Sequence, residues 1–393
     1  MLKNSYFLSQ PHQPFFLLGV LNAIVVMLLF ALSYKGVLSL EMISSNLHIY
    51  SIAFLVFANL FNGFLFTTFP RFNQSEVITK SFYSNLFFAT LFAEAIFIVG
   101  LFLSHILLVV GMAMLFGTQL LSVKKLQAIY NNGRVADKSD SFWILTAQYF
   151  GLVGHLLFVA IELQNYTTIE FSLFNFATYI TFYLYLIFLA FSVGQRMIPF
   201  FSHSFASKNV NFVKVVFTLF ILKTLSASLE IKVAEIGIDI LLAGYTFYEF
   251  YRWKLPMFNS PAILWVLHLA LFWIPVAFAL SALSIGAELF LSSSFYFLNI
   301  HLLAIGFLTT VLIGFGTRVT LGHSGQPPHA DRYVTNIFWF IQVVVVLRAL
   351  YSVNIAFDWG ANFLFDISFS AWLVLFLLWS GRYARVLLFG KKG

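Results

Sequence analysis

Phe295-Tyr-Phe-Leu-Asn-Ile-His-Leu-Leu-Ala-Ile-Gly-Phe-Leu-Thr-Thr-Val-Leu-Ile-Gly-Phe-Gly-Thr-Arg-Val-Thr-Leu-Gly-His-Ser-Gly-Gln326 is the stretch on which the reading of this chain turns. From Phe295 to Gly316 it runs 22 residues without a formal charge, about 33 Å as a helix and enough to cross a bilayer. His301 interrupts the apolar run, roughly 9 Å in from its start. An imidazole in hydrocarbon must find a partner, because an unsatisfied polar group there costs several kcal/mol. That partner is a metal or a group on a neighbouring helix.

The rest of the chain has the same character. It is 61% hydrophobic and 9% charged, with 51 phenylalanines, and its mean hydropathy of +0.90 lies far outside the range of soluble domains. The sequence predicts one all-α, polytopic membrane bundle over 1–393, with no separate catalytic domain. The first apolar run, 15–34, is longer than a signal-peptide core and lacks a small-residue cleavage pattern, so it is read as the first transmembrane helix. With no cysteine there are no disulfides, thiolate nucleophiles, Cys-ligated clusters or covalent c-type haem. Any metal must sit on His, Met, Tyr or oxygen.

Apolar runs fall near 15–34, 48–67, 82–101, 105–121, 142–162, 171–194, 211–229, 233–250, 262–283, 295–316, 334–352 and 364–381, which predicts about twelve crossings. The narrowest divisions are at Leu103-Ser104-His105 and around Glu230. Charge tests the count independently. Seventeen of the 22 Lys and Arg, from Lys3 and Arg71 to Lys391 and Lys392, fall on the side of the N-terminus and the even loops; only Lys35 and Lys232 fall on the other. Both termini are therefore expected in the cytoplasm. The same asymmetry explains the net charge of +7 without any nucleic-acid partner. The second, sixth and tenth runs each leave through a basic turn, at Phe69-Pro70-Arg71, Gln195-Arg196-Met197-Ile198-Pro199 and Thr317-Arg318-Val319, as three units of four helices would require.

Topology sorts the nine histidines. His12, His203, His323 and His329 fall in cytoplasmic segments and His105 in an outer turn, leaving His48, His155, His268 and His301 in or at the ends of helices as ligand candidates. A b-type haem between two helical histidines needs their depths to agree. Counted back from Arg71 and Arg318, His48 and His301 differ by roughly 9 Å, so His155 is a rival to His48, while His268 would serve a second site. Among other buried polar residues, Lys223 is expected to pair with Glu235 or Asp239, and Glu94 is the most isolated. Seven methionines form no M-x-x-M cluster. The segment from Thr317 to Pro327 looks like a phosphate-cradling loop but lacks the lysine and spacing of one. Its plainer reading is a turn made by Gly322 and Gly325, with Arg318 capping the helix.

Several of these residues resemble the NnrS family of bacterial inner-membrane proteins: Pro14-Phe15-Phe16-Leu17-Leu18-Gly19, His48 followed by Gly63-Phe64-Leu65-Phe66-Thr67-Thr68-Phe69-Pro70, Arg196-Met197-Ile198-Pro199-Phe200-Phe201, Leu267-His268, and His301 with Thr317-Arg318-Val319-Thr320-Leu321-Gly322-His323-Ser324-Gly325. The resemblance covers nearly the whole chain. It implies haem b and copper, with a role in nitric oxide responses, nitrosative stress and denitrification, and names no reaction. It points to His48, His301 and His268 for cofactor binding, and to His323, Arg318, Gly322 and Gly325 in the last motif. Where the family usually shows H-A-H-E, this chain has His48-Ile49-Tyr50-Ser51, which removes a histidine and a glutamate from any copper site. The helix count is also similar to that of haem–copper oxidases, in which helices 2 and 10 supply a bis-histidine haem site, but runs six and seven carry no histidine and oxygen reduction is not expected. The competing reading, from another class, is a twelve-helix transporter of a small solute or ion, using Glu94, Lys223 and Asp239.

Overall fold

The computed structural model describes residues 6–166 and 173–390. Lys3, Lys391 and Lys392, and the expected start of the sixth run at 171, lie outside them. Twelve long helices follow one another: α1 (His12–Tyr34), α2 (Ser44–Phe72), α3 (Lys80–Leu103), α4 (His105–Asn132), α5 (Ser139–Leu163), α6 (Phe174–Phe201), α7 (Phe212–Ser228), α8 (Lys232–Arg252), α9 (Ala262–Leu291), α10 (Leu298–His323), α11 (Arg332–Phe357) and α12 (Phe363–Phe389). All twelve apolar runs are helices, and both narrow divisions are real. A single residue, Ser104, separates α3 from α4, and Glu230 turns the chain between α7 and α8 with φ of 55°. Among the described residues ten helices are long and apolar enough to cross a membrane. The chain is a multi-pass membrane protein. The other two are α7, only 17 residues long, and α8, which carries Lys232, Glu235, Asp239, Glu249 and Arg252.

The residues form two compact units. One comprises the chain to Leu186, His323–Gly325 and the part from Trp379; the other comprises Ile187–Gly322 and Gln326–Leu378. In the first unit α3 and α4 pack as a close hairpin because Gly100 and Gly111 carry no side chain. A Cβ on Gly100 would lie 2.5 Å from the Leu108 Cα, and one on Gly111 would lie 2.5 Å from the Phe97 backbone nitrogen. Small residues let two backbones approach in this way wherever hydrocarbon supplies no hydrophobic drive.

Helices α2, α6 and α10 share a feature that no other helix has among the described residues. Each widens into a π-helical segment, at Ile52–Phe57, Ile180–Ile187 and Leu302–Thr309, before returning to α geometry. Such widening frees carbonyls from their usual partners, and side chains take them up. In α2 the Leu55 carbonyl accepts from the Asn22 and Asn59 amides, at 3.0 and 2.7 Å. In α10 the Thr309 and Thr310 hydroxyls reach back five residues to the Ala304 and Ile305 carbonyls. The three helices close on a bond that also ends α1, α7 and α11: Ser75, Ser204 and Gln326 donate their backbone N–H groups to the carbonyls of Pro70, Pro199 and Leu321. Recurring at every fourth helix, these segments give the three-unit reading a structural counterpart.

The tenth run is displaced from its expected bounds. Tyr296 and Phe297 take positive φ, 32° and 56°, so the helix begins at Leu298 rather than at Phe295. At its other end it continues to His323, past the expected exit at Gly316. Residues 317–323 are therefore helix, not a phosphate-cradling loop.

Candidate functional site

His301 lies in the first turn of α10, half-buried, rather than deep inside an apolar run. Its Nδ1 donates to the Phe297 carbonyl at 2.9 Å. That bond fixes the Nδ1–H tautomer and makes Nε2 the nitrogen a metal would use, an arrangement usual for ligating histidines. His48, also half-buried, lies in the second turn of α2, where its ring lies tilted against that of Phe30 of α1 with centroids 4.3 Å apart. Each histidine precedes the π segment of its own helix. Counted back from the last helical residues, Phe72 and His323, they stand 24 and 22 residues into their own helices. The mismatch expected from sequence came from taking Arg318 as the end of α10.

His155, the rival, is spent on the fold. Its Nε2 meets the Tyr50 hydroxyl at 2.8 Å and its Nδ1 the Gln119 Oε1 at 2.7 Å, while the ring stacks on Phe54 at 4.1 Å. The adjoining cavity, lined by Phe54, Asn59, Asn62, Thr118 and Gln119 among others, holds about 10 Å³, room for one water and far too little for a porphyrin. His268 is fully buried in α9 of the second unit, with Ser202 Oγ 2.6 Å from its Nε2. Haem ligation through that nitrogen would require breaking this bond.

The last motif divides between two uses. Arg318 lays its guanidinium 4.0 Å above the Phe201 ring, a cation–π contact rather than a helix cap. Gly322 is helical, and a Cβ there would meet nothing within 4 Å. Gly325, with φ of 73°, makes the turn alone. His323, in the first unit, has its ring 4.8 Å from that of His12, and Arg71 donates to its Nε2 at 3.3 Å. An imidazole nitrogen that accepts from a guanidinium is not offered to a metal.

The positions where the resemblance would place a second histidine and a glutamate are also used locally: Tyr50 on His155, and Ser51 on the Leu47 carbonyl. Among the described residues no three of His, Asp and Glu gather as a metal cluster. A single haem needs fewer protein ligands, and the His301 geometry fits one. The sequence marks Asn59, Asn62 and Glu94 as buried polar residues but takes Glu94 as the most isolated, whereas Asn59 donates to Glu94 Oε1 at 2.6 Å and Ser122 donates to Asn62 Oδ1 at 2.6 Å. Lone polar residues in apolar runs were the only signal of this polar core, and their partners lie too far along the chain to be read.

Among curated proteins there is no match. The profile of a family described as NnrS protein matches residues 6–389, nearly the whole length. The chain belongs to the NnrS family.

Proposed function

We propose that this protein is a haem-binding protein of the bacterial inner membrane that acts in nitric oxide handling and nitrosative stress, with its termini in the cytoplasm. Family membership supports the role, and the distribution of Lys and Arg supports the orientation. The observation that carries haem is the His301 imidazole, oriented by the Phe297 carbonyl at the head of a π segment. His48 is the second ligand candidate. Bound haem would supply a redox-active iron with affinity for nitric oxide; the chain would supply imidazole nitrogen.

The test is the absorption spectrum of detergent-purified protein, as isolated, reduced, and with nitric oxide added. The wild type is expected to show a Soret band that shifts with nitric oxide. His301→Ala and His48→Ala should each lose it, while His268→Ala should keep it. Colourless protein from cells supplied with haem would sink the proposal. It would favour the transporter reading, for which the observation is the buried charge cluster on α7 and α8.

A further inference from the structure

Lys223 of α7 is fully buried and bonds two carboxylates of α8, with its Nζ 2.9 Å from Glu235 Oε2 and 2.8 Å from Asp239 Oδ2. The α9 residue Ser281 donates to the same Asp239 oxygen at 2.6 Å and itself accepts from Asn299 of α10 at 3.1 Å. Asp239 has no exposed surface, and its Oδ1 has no hydrogen-bond partner. If both acids are ionised, the site carries one excess negative charge, with Asp239 fully buried and the Glu235 side chain 12% exposed. Uncompensated charge in such a place is too costly to persist.

The neighbouring charges are committed elsewhere. On the rim, Lys232 of α8 pairs with Glu288 of α9 at 2.8 Å, and Glu230 is exposed in the α7–α8 turn. On α10, His301 is bonded to Phe297, and on α11 Arg348 donates to Ser352 and to the Tyr296 carbonyl. Among the described residues Lys223 is the only cation in an ion pair with Asp239. The compensating species is therefore a bound cation, and the oxygen count decides its kind. A metal ion such as sodium requires about six oxygen ligands. Glu235 Oε2 and Asp239 Oδ2 already serve the ammonium, and the oxygens that remain, Asp239 Oδ1, Glu235 Oε1 and the side-chain oxygens of Ser281 and Asn299, are fewer than six.

We propose that Asp239 Oδ1 binds a single exchangeable proton, so that the Lys223–Glu235–Asp239 cluster is a proton-loading site in the second unit. Ser281 and Asn299 tie its charge to the first turn of α10, two residues before His301. The site stands whether or not His301 binds haem, because it is made only of the chain's own side chains.

The test is infrared spectroscopy of the full chain in lipid bilayers near neutral pH, in H2O and D2O. Wild-type protein should show a deuterium-sensitive carboxylic C=O band that Asp239→Asn removes. Glu235→Gln should remove it too, because one carboxylate then balances one ammonium and Asp239 ionises. Glu94→Gln, in the other unit, should leave this band in place. Replacing sodium by choline in the buffer should leave it unchanged. Helix content by circular dichroism confirms that each variant is folded, and Glu235→Gln provides the reading should Asp239→Asn not fold. A band that survives Asp239→Asn, or survives Glu235→Gln, would overturn the proposal; so would one that sodium abolishes, which would make the ligand a metal cation.

Discussion

Tyr50 shows how one side chain decides what a whole region can bind. Its hydroxyl holds His155, which in turn holds Gln119, and the three close a core in which Asn59 and Glu94 find their own partners. Tyr50→Phe leaves the buried His155 Nε2 without its partner, a loss of about 1–3 kcal/mol. The expected result is a lower midpoint of thermal unfolding in detergent with any Soret band unchanged, since His155 is not a ligand; a band lost in this variant would return His155 to the list of ligands. The departure at Tyr50 and Ser51 was legible in the sequence. Its use was not, because Tyr50 and His155 stand 105 positions apart and nothing local links them. Lys223 was legible with its partners because they sit across one short turn, 12 and 16 residues away.

Hydropathy showed all twelve helices, because each carries a predominantly apolar run, and the short turns at Ser104 and Glu230 broke the pattern where they should. It misplaced α10, since aromatic residues at 295–297 read as helix though two of them take left-handed backbone, and Arg318 read as an exit though the Phe201 ring receives it. The π segments had no signature at all: a widened turn keeps the same apolar composition and shows itself only in which carbonyls lack their usual partner. The α3–α4 hairpin gives a direct test of packing at this level. Gly100→Ala and Gly111→Ala each press a methyl group into backbone that cannot yield, and overpacking of this kind costs about 1–3 kcal/mol or more. Both should unfold at lower temperature than wild type. Gly322→Ala and Gly117→Ala, where a methyl meets nothing within 4 Å, should be near neutral. Equal losses at all four positions would show that helix contact is not what these glycines provide.

Membrane topology follows from the parity of crossings, and parity hides one choice. If α7 and α8 cross together, the α7–α8 turn is outside; if neither crosses, every later helix keeps its orientation and Lys232 merely changes side. The charge distribution therefore cannot distinguish the two, and these are the two helices whose length or charge sets them apart from the other ten. The buried cluster argues that they cross. Lys223, Glu235 and Asp239 neutralise one another inside the second unit, so the charges that lower the hydropathy of α7 and α8 are not presented to lipid. A chain without cysteine is a clean background in which to ask. In intact cells a membrane-impermeant thiol reagent should label Ser294→Cys, between α9 and α10, and should not label the exposed Phe205→Cys, between α6 and α7. Leu229→Cys, exposed in the α7–α8 turn, should label like Ser294→Cys. Labelling of Leu229→Cys only in inside-out vesicles would leave ten crossings, and would move the charged cluster from the membrane to its cytoplasmic face.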